Sequence, residues 1–518
     1  MKKILLSIFS ILILAVIVKG LSGSSNISES VTYYLEYGLK PYVSFLGFIF
    51  LGDNYEIFGE VRNINIYGLP LLVSWLIIGG IFFTFKLRFI NVRLFKHAID
   101  IARGQYIEKD APGKVTQLQA LFTAVAATVG LGNIAGVAIA ISLGGPGAVI
   151  WMMIAAFFAM SMKCSEVILG QKYRKFDKKG HLLAGAFYYL EDGLKEKGMA
   201  KIGKALGIIA AVLCIGGVIG GGLMFQANQS VAIIADSFKM EPIEKLTLVL
   251  ALTGLVGIII IGGISRIASF AEKIVPLMAV FYVLSCVVIL TMNYENIVDA
   301  VCLMFSSAFR GDAVYSGVIG AIIQGIKRSA FSNEAGIGSA PIAHAAGKTK
   351  EPVREGAISL LEPFIDTVVI CFMTGIVLVV TGVYKIESAA DGVLMTRDAF
   401  ATVAPWFTYV LSVMVFLFAF STMLTYTFYG QQAWLYLSKG KGFIVCQIVS
   451  LISIFIGGMI NLGIVIDLAD ILFLSMAIPN LIGMYIMSKL IKSEVDSYIN
   501  RLKKGEFDSL RKENMSQK

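Results

Sequence analysis

The residues best suited to binding a solute lie in two glycine-rich stretches, each inside an apolar segment long enough to cross a membrane. In the first, 126–138, Gly130, Gly132 and Gly136 lack a Cβ and each weakens a helix. A break there frees backbone amides to bind an anion and backbone carbonyls to bind a cation. Because lipid tolerates unpaired backbone groups only beside protein or water, this stretch is predicted to line a site. The alternative is a helix-packing face, since Gly132 and Gly136 also have Gly-xxx-Gly spacing.

A second stretch of the same kind lies at residues 326–346, in the other half of the chain. It contains Gly336, Gly338 and Pro341 within another apolar segment. Two interrupted helices at matching positions of two halves are typical of secondary transporters built from inverted repeats, whose solute site lies at the repeat interface. The pair of stretches therefore favours a transporter with two related halves.

The composition excludes an ordinary soluble protein. Of the 518 residues, 57% are hydrophobic and 15% charged, and the mean hydropathy is +0.78. The net charge of +9 comes from Lys and Arg in short loops, so it indicates membrane topology and not binding to nucleic acid. The six cysteines and three histidines lack CxxC or metal-ligand spacing. We therefore expect no cofactor and no metal centre, with sodium present only as a coupling ion.

The apolar runs divide the chain into five regions. Residues 1–25 are predicted to be a signal-peptide-like or anchor segment, and residues 26–67 an extracytoplasmic amphipathic segment. Residues 68–114 are predicted to form a peripheral transmembrane helix and a basic cytoplasmic loop. An inverted-repeat transport core would then occupy 115–491, and a charged cytoplasmic tail 492–518.

Eleven apolar segments are predicted to cross the membrane. They are 68–85, 118–142, 147–170, 205–236, 246–264, 273–291, 315–345, 357–383, 404–435, 443–463 and 466–490. When the loops are assigned alternately to the two sides, most Lys and Arg fall on the side of Lys2 and Lys3, as the positive-inside rule requires. The five spans from residue 118 and the five from residue 315 then have opposite orientations, which defines an inverted repeat.

Charged side chains inside the predicted spans are costly in lipid and therefore informative. Lys163 and Glu166 lie three residues apart near a cytoplasmic end and are predicted to form a structural pair or gate. Lys327, Arg328 and Glu334 lie in the second interrupted helix. The acidic residues in later spans that are predicted as their partners are Glu362, Asp366, Asp467 and Asp470. We interpret Lys163, Glu166, Arg328, Glu334 and Asp366 as gating or structural ion pairs, and direct contact with the substrate is the alternative.

Five short stretches resemble the alanine or glycine:cation symporter family. They are Phe-Lys-Leu-Arg-Phe (85–89), Val-Gly-Leu-Gly-Asn-Ile-Ala-Gly (129–136), Gly-Gly-Pro-Gly-Ala-Val-Ile-Trp (144–151), Gln-Ala-Asn (226–228) and Ser-Asn-Glu-Ala-Gly-Ile-Gly-Ser-Ala (332–340). The resemblance runs from about residue 68 to about residue 490. This family is similar in fold to the bacterial leucine transporter. The resemblance therefore implies an all-α polytopic membrane protein with a 5+5 inverted-repeat core, a peripheral N-terminal helix and an additional N-terminal apolar segment.

A zwitterionic amino acid needs amide donors for its carboxylate and oxygen acceptors for its ammonium. The amides of residues 130–133 can supply the donors, and Asn133 can present its carbonyl oxygen, unless its amide serves an interhelical hydrogen bond. The resemblance implies that Gln226 is the substrate glutamine of the family. The residues assigned to the substrate site are Thr128, Gly130, Gly132, Asn133, Gln226, Phe331, Ser332 and Gly336.

Sodium prefers hard oxygen ligands, which backbone carbonyls and hydroxyls supply. Ser421 and Thr422 lie midway along a predicted span and resemble the hydroxyl pair of the second sodium site in the leucine transporter. Alone this pair would mean little, because Ser and Thr commonly bond to their own helix. The resemblance implies that carbonyls of the first break complete the site. The residues assigned to sodium are Ala126, Val129, Phe418, Ser421 and Thr422.

These patterns predict a symporter in the cell membrane that takes up a small neutral amino acid, alanine or glycine, coupled to sodium by alternating access. Its partners would be that amino acid, sodium and the lipid bilayer, with no nucleic acid. The alternatives are proton coupling, through Glu334 or Asp366, a different small solute, or a channel or non-transporting receptor. The sequence contains no HExxH motif, Ser/His pairing or metal cluster that would indicate an enzyme.

Overall fold

The computed structural model describes residues 40, 43–47, 55–57, 60–62, 65–66, 69–108, 110–178, 180–259, 263–310, 317–385 and 392–516. The predicted signal-peptide-like segment 1–25 lies outside the described residues, and so does most of segment 26–67. Within that segment, residues 40 and 43–47 are helical. Two short antiparallel hairpins follow, in which β1 (Tyr55–Ile57) pairs with β2 (Glu60–Arg62) and β3 (Asn65–Ile66) with β4 (Leu69–Pro70).

Helices occupy all eleven positions at which a span is predicted. They are α1 (Leu71–Lys86), α2a (Gln117–Thr128), α2b (Ala135–Gly144), α3 (Gly147–Lys172), α4 (Ala200–Ser237), α5 (Pro242–Ile259), α6 (Gly263–Met292), α7a (Gly317–Asn333), α7b (Ala340–His344), α8 (Pro352–Thr381), α9 (Phe407–Ser438), α10 (Phe443–Met459) and α11 (Leu462–Ile486). Within the described residues, seven helices are long and apolar enough to cross a membrane, and the bent α2 pair makes an eighth. The helices α1 and α10 are apolar but shorter, and α7 is divided into two pieces.

The helices pack in two groups around the broken segments. In the first, which we call the bundle group, α3 packs against α7a, α7b and the start of α8, and α2 packs against α7. In the second, the scaffold group, α4 packs against α9 and α10, and α5 packs against α10. The two groups meet where α9 contacts α2a. Both α4 and α8 widen into a π-helical turn, at Val218–Met224 and Phe364–Cys371, and such turns are frequent at functional sites.

Shorter elements connect these helices outside the apolar segments. They are the helices Ile90–Arg93, Phe95–Ala102, Ala186–Glu196, Ile297–Phe309 and Val393–Ala401, the 3₁₀ turns Tyr294–Asn296 and Val383–Lys385, and the hairpin of β5 (Lys175–Phe176) and β6 (Leu182–Leu183). The helices 297–309 and 393–401 are not among the sequence-based predictions. Their short apolar stretches fall below the length that a span requires.

The charged tail is folded. It forms α12 (Ser488–Lys503) and α13 (Asp508–Ser516), and α12 buries Ile491, Val495 and Tyr498 along one face. The Arg501 guanidinium binds both carboxylate oxygens of Glu351 at 2.8 and 2.6 Å. The tail is therefore docked onto the loop that leads into α8.

Candidate functional site

The first glycine-rich stretch breaks its helix as predicted. The helix α2a begins with a capping box between Thr116 and Gln119 and ends at Thr128, and a 3₁₀ turn at Leu131–Asn133 leads into α2b. The two halves of this span are bent by 58°. The Gly130 amide donates to the carbonyl of Thr128 at 2.9 Å and to Oδ1 of Asn133 at 3.0 Å. In a continuous helix the Gly130 amide would donate to the Ala126 carbonyl. Because it donates elsewhere, the Ala126 carbonyl is left without its helical donor.

Side chains from α4 and α9 occupy the space around this break. Gln226 Oε1 accepts a hydrogen bond from the Leu131 amide at 3.0 Å, and Thr422 Oγ1 donates to the freed carbonyl of Ala126 at 3.0 Å. A Cβ added to Gly130 would lie only 2.6 Å from Thr422 Oγ1 and 3.2 Å from Gln226 Oε1. The close approach of two side chains therefore requires glycine at position 130.

Asn133 joins the break to α7a and α8. Its amide nitrogen donates to the backbone oxygen of Asp366 at 3.0 Å, to the Asp366 carboxylate and to Ser332 Oγ at 3.2 Å. Its backbone oxygen accepts from Thr374 Oγ1 at 2.7 Å. The Asp366 carboxylate also accepts hydrogen bonds from the Ser332 hydroxyl and from Thr367 Oγ1, the latter at 2.8 Å. Among the described contacts, neutral donors thus surround Asp366 in place of the predicted ion pair.

Four of the five residues assigned to sodium form two hydrogen-bonded pairs, and Val129 is the fifth. Thr422 and Ala126 are in direct contact across α9 and α2a, while the Ser421 hydroxyl donates to the Phe418 carbonyl on its own helix at 3.0 Å. Val129 caps the C-terminus of α2a, directly before the break. These atoms are hard oxygens in a buried setting, and one of the carbonyls has lost its helical donor. The donor set therefore fits sodium.

Phe331 forms a wall of the first break. Its ring lies 5.0 Å from that of Phe225 and 5.1 Å from that of Phe473, and a Cβ on Gly132 would approach it to 3.3 Å. The Thr128 hydroxyl, by contrast, bonds back to its own helix at Ala124, 3.3 Å away.

Gly336 lies apart from the first break. It adopts a left-handed conformation, with φ of 83°. Its carbonyl accepts from Asn480 Nδ2 at 2.8 Å, and a Cβ at this position would meet Met162 at 2.6 Å. The structure therefore places Gly336 between α3 and α11 and not beside Gly130 and Gln226.

The predicted charged pairs have other partners than those the sequence indicates. Lys163 Nζ lies 2.9 Å from the Glu362 carboxylate and donates to the Asn333 carbonyl at 2.8 Å, so it does not pair with Glu166. Glu166 instead turns to the second break, where it accepts from the Gly338 amide at 3.0 Å. Side chains three residues apart on a helix can meet, but here each finds a closer partner on another helix.

Arg328 and Glu334, the charged residues predicted in the second interrupted helix, have different kinds of partner. Arg328 forms an ion pair with Asp470 of α11. The Glu334 carboxylate accepts hydrogen bonds from the Tyr426 hydroxyl at 2.6 Å and from the Ser339 hydroxyl. Arg328 therefore has the predicted kind of partner, whereas Glu334 has neutral ones.

Several residues of these hydrogen-bond networks are not among the sequence-based predictions of site residues. They are Thr367, Thr374, Tyr426 and Asn480, all buried polar side chains within apolar helices. Their polarity was the available signal, because a buried polar group in a span needs a specific partner. Which partner each one has depends on how the helices pack.

This fold, with a broken helix whose free backbone groups face buried polar side chains from other helices, defines a multi-pass membrane transporter. A sequence model of the sodium:alanine symporter family matches residues 53–512. The chain belongs to this family, which is a family of transporters and not of enzymes. The predicted family resemblance is thereby confirmed.

Individual proteins agree with this assignment. The chain is 39% identical over 440 residues to the sodium/alanine symporter AgcS of Methanococcus maripaludis, covering 84% of this chain and 96% of that protein. It is 33% identical over 438 residues to the probable sodium/glutamine symporter GlnT of Bacillus subtilis, covering 84% and 89%. The crystal structure of MhsT in complex with L-phenylalanine has a TM-score of 0.52 at 12% identity, covering 74% of this chain and 98% of that one. This last likeness concerns the fold alone.

Proposed function

We propose that this protein takes up a small neutral amino acid, alanine or glycine, together with sodium across the cell membrane. The observation that carries the proposal is the first break, where amides and a carbonyl that no longer form helical hydrogen bonds meet side chains from α4 and α9 around Gly130. An amino acid and a cation require these two kinds of group side by side.

The amides of the break would bind the substrate carboxylate. The Gly130 and Leu131 amides now donate to the side-chain oxygens of Asn133 and Gln226, each at 3.0 Å. Such donors at a turn that precedes a helix favour an anion. We infer that the carboxylate takes over the Leu131 donor and that the displaced Gln226 amide then contacts the substrate.

Sodium would bind on the other side of the break. Thr422 and the carbonyls of Ala126 and Val129 supply oxygen atoms, and Ser421 and Phe418 complete the set from α9. A cation there would join α2a to α9, and so the bundle group to the scaffold group. Binding would then favour the conformation in which the two groups are close together.

Alternating access would follow from movement of the two helix groups in an inverted-repeat core. Helices α2 to α6 and α7 to α11 each comprise five positions, and both sets begin with a broken helix. The peripheral helix α1 packs against α3, outside this arrangement. The rival proposals are a proton-coupled symporter and a different small solute. The latter draws support from the probable glutamine specificity of one relative.

Substrate selection tests the proposal. Since Phe331 is fixed between Phe225 and Phe473, a long substrate side chain would have to displace packed rings, at a cost of ~1–3 kcal/mol. We expect alanine and glycine to bind roughly tenfold or more tightly than leucine or phenylalanine. We also expect Gln226→Ala to weaken alanine binding, because a polar substrate group loses its partner.

Isothermal titration of the purified protein, in sodium buffer and in choline buffer, measures these effects. Asn228→Ala is a matched control, because Asn228 lies on α4 beside Gln226 but donates to carbonyls of Gly457 and Ile460. Equal affinities for alanine and leucine, or alanine binding unchanged by choline, would refute the proposed function. If the Gln226→Ala variant binds alanine as tightly as the wild type, Gln226 is not part of the substrate site.

A further inference from the structure

A second buried cluster lies around the break in α7 and has no part in the proposed amino-acid site. It contains four carboxylates and two bases, none more than 1% exposed. They are Glu166, Glu334, Glu355, Glu362, Lys163 and His344.

Two of the carboxylates are matched by the two bases. Lys163 Nζ lies 2.9 Å from Glu362. His344 Nδ1 lies 2.8 Å from Glu355, and its Nε2 lies 3.2 Å from Glu362. Both ring nitrogens face carboxylates, and both donate when His344 is an imidazolium ion, the form that two ionised carboxylates favour. Lys163 and His344 therefore balance Glu355 and Glu362.

No further buried cation is free to balance Glu166 and Glu334 within the described residues. Arg174 also faces Glu355 while donating to the backbone carbonyls of Ala345 and Gly347. Arg328 is paired with Asp470, and Arg354 with Glu108 at 3.0 Å. With Arg174 included, four carboxylates still face three cations. Because an uncompensated buried charge costs several kcal/mol, the cluster should hold at least one proton.

The hydrogen-bond partners indicate which carboxylate carries it. Glu166 Oε2 accepts from the Gly338 amide and from Asn480 Nδ2, each at 3.0 Å. Both partners can only donate, so they favour the ionised form of Glu166. Among the described residues, the hydrogen-bond partners of the Glu334 carboxylate are the hydroxyls of Tyr426 and Ser339, which can donate to a carboxylate or accept from a carboxylic acid.

We propose that Glu334 is a proton-binding site and holds a proton while α7 and α9 are in contact. Tyr426 reaches Glu334 from α9, one turn beyond the Thr422 of the sodium set. Separation of the two helices would remove this partner and open the carboxyl group to water, where it would release its proton. Each cycle of the transporter would then include proton binding and release.

The other groups near Glu334 do not supply the missing positive charge. From α3 it faces Lys163, from α8 Glu362, from α9 Tyr429 and from α4 Cys214. The Glu334 backbone is also left-handed, with φ of 58°, a conformation that is unfavourable for a residue with a Cβ.

Infrared difference spectroscopy of the purified full-length protein tests the proposal directly. We expect the carbonyl band of a protonated carboxylic acid at neutral pH in the wild type and its loss in Glu334→Gln. Glu191→Gln is the matched control, because Glu191 also accepts a tyrosine hydroxyl, that of Tyr436 at 2.6 Å, but is only half-buried. A band that persists in Glu334→Gln, or that disappears in Asp366→Asn instead, overturns the assignment.

Two further variants keep the test decisive if Glu334→Gln does not fold. Tyr426→Phe removes one hydroxyl partner and should shift the band. Glu166→Gln removes a nearby negative charge, so Glu334 should lose its proton more easily. As the pH is raised, the band should therefore disappear at a lower pH than in the wild type. An unchanged band in both variants overturns the proposal.

A proton count during binding links the site to transport. In weakly buffered solution with a pH indicator, sodium and alanine should change the number of bound protons in the wild type. We expect no such change in Glu334→Gln, and an equal change in both proteins contradicts the coupling. The infrared band needs no substrate, so failure of the symport proposal would leave it as an independent test of the proton site.

Discussion

Ser421 and Thr422 are neighbours with matching chemistry, but their contacts differ. The Thr422 hydroxyl donates to the Ala126 carbonyl on α2a, whereas the Ser421 hydroxyl donates to the Phe418 carbonyl on its own helix. Bonding of this kind within a helix is common and needs no ion. Thr422 is therefore the residue of the pair that connects the two helix groups.

This difference predicts unequal effects of two substitutions. Thr422→Ala should raise the sodium concentration for half-maximal alanine uptake roughly tenfold, since a lost ligand or hydrogen bond is worth ~1–2 kcal/mol. Ser421→Ala should have a smaller effect, and Thr422→Ser, which keeps the hydroxyl, should stay near the wild type. Uptake by proteoliposomes at graded sodium concentrations measures all three. A Thr422→Ala variant with the wild-type sodium dependence would exclude Thr422 as a ligand.

A single methyl group should also abolish the site. In Gly130→Ala the new Cβ would lie 2.6 Å from Thr422 Oγ1, so one partner has to move and alanine binding should be lost. Gly463→Ala is the control, because nothing lies within 4 Å of the Cβ that it adds. Calorimetry with alanine in sodium buffer compares the two variants. Binding retained by Gly130→Ala would show that the close approach at this position is not required.

At the scale of elements, the docked tail shows how polar helices acquire a fixed position. The Tyr498 hydroxyl of α12 lies 2.8 Å from Nε2 of His97. The Tyr498 ring stacks on that of Phe507, with 5.2 Å between the ring centres. Lys172, at the end of α3, binds Glu494 at 2.8 Å. The tail thus connects α3, α8 and the helix 95–102.

The environment of His97 predicts a pH dependence for this docking. Burial lowers the pKa of His97 from 6.5 to about 4, and the nearby charges of Arg354 and Arg511 act in the same direction. The unfolded chain therefore binds a proton at His97 near pH 6.5, but the folded chain only near pH 4. The contribution of neutral His97 to the free energy of unfolding is therefore complete above about pH 6.5 and is lost as the pH falls from about 6.5 to about 4.

Thermal unfolding in detergent between pH 7 and pH 4 measures this effect. The melting temperature of the wild type should fall more steeply than that of His97→Asn, which keeps a polar side chain but cannot be protonated. Parallel curves for the two proteins would mean that His97 titrates in the same way when folded and unfolded.

At the scale of the whole molecule, one set of charged contacts lies inside the bundle group, whereas the Arg328–Asp470 ion pair connects α7a to α11. Lys163 and His344 both bind Glu362 inside the bundle group. The bundle and scaffold groups are joined around the first break by hydrogen bonds between neutral groups, such as Leu131 to Gln226. Strong pairs inside the bundle group would keep it rigid, while neutral bonds can be exchanged with the substrate.

The predicted membrane topology is a property of the entire chain. A cysteine at His181, in the loop after α3, should be protected from an impermeant thiol reagent added outside intact cells. A cysteine at Glu241, between α4 and α5, should react. The background protein needs Cys302→Ser, because Cys302 is exposed while the other five cysteines are buried. The reverse labelling pattern would contradict the alternating assignment of loops.

The sequence by itself determined where the apolar helices lie and where one of them breaks, because length, hydropathy and glycine spacing are local properties. It also indicated, through its resemblance to a family, that Gln226 and Thr422 belong near that break, and the structure places both against Gly130. The tertiary structure alone decided the partners of the charged residues, such as Glu362 for Lys163 and Tyr426 for Glu334. Spacing along one helix offers a charged side chain several partners, whereas burial leaves only the one that packing brings within reach.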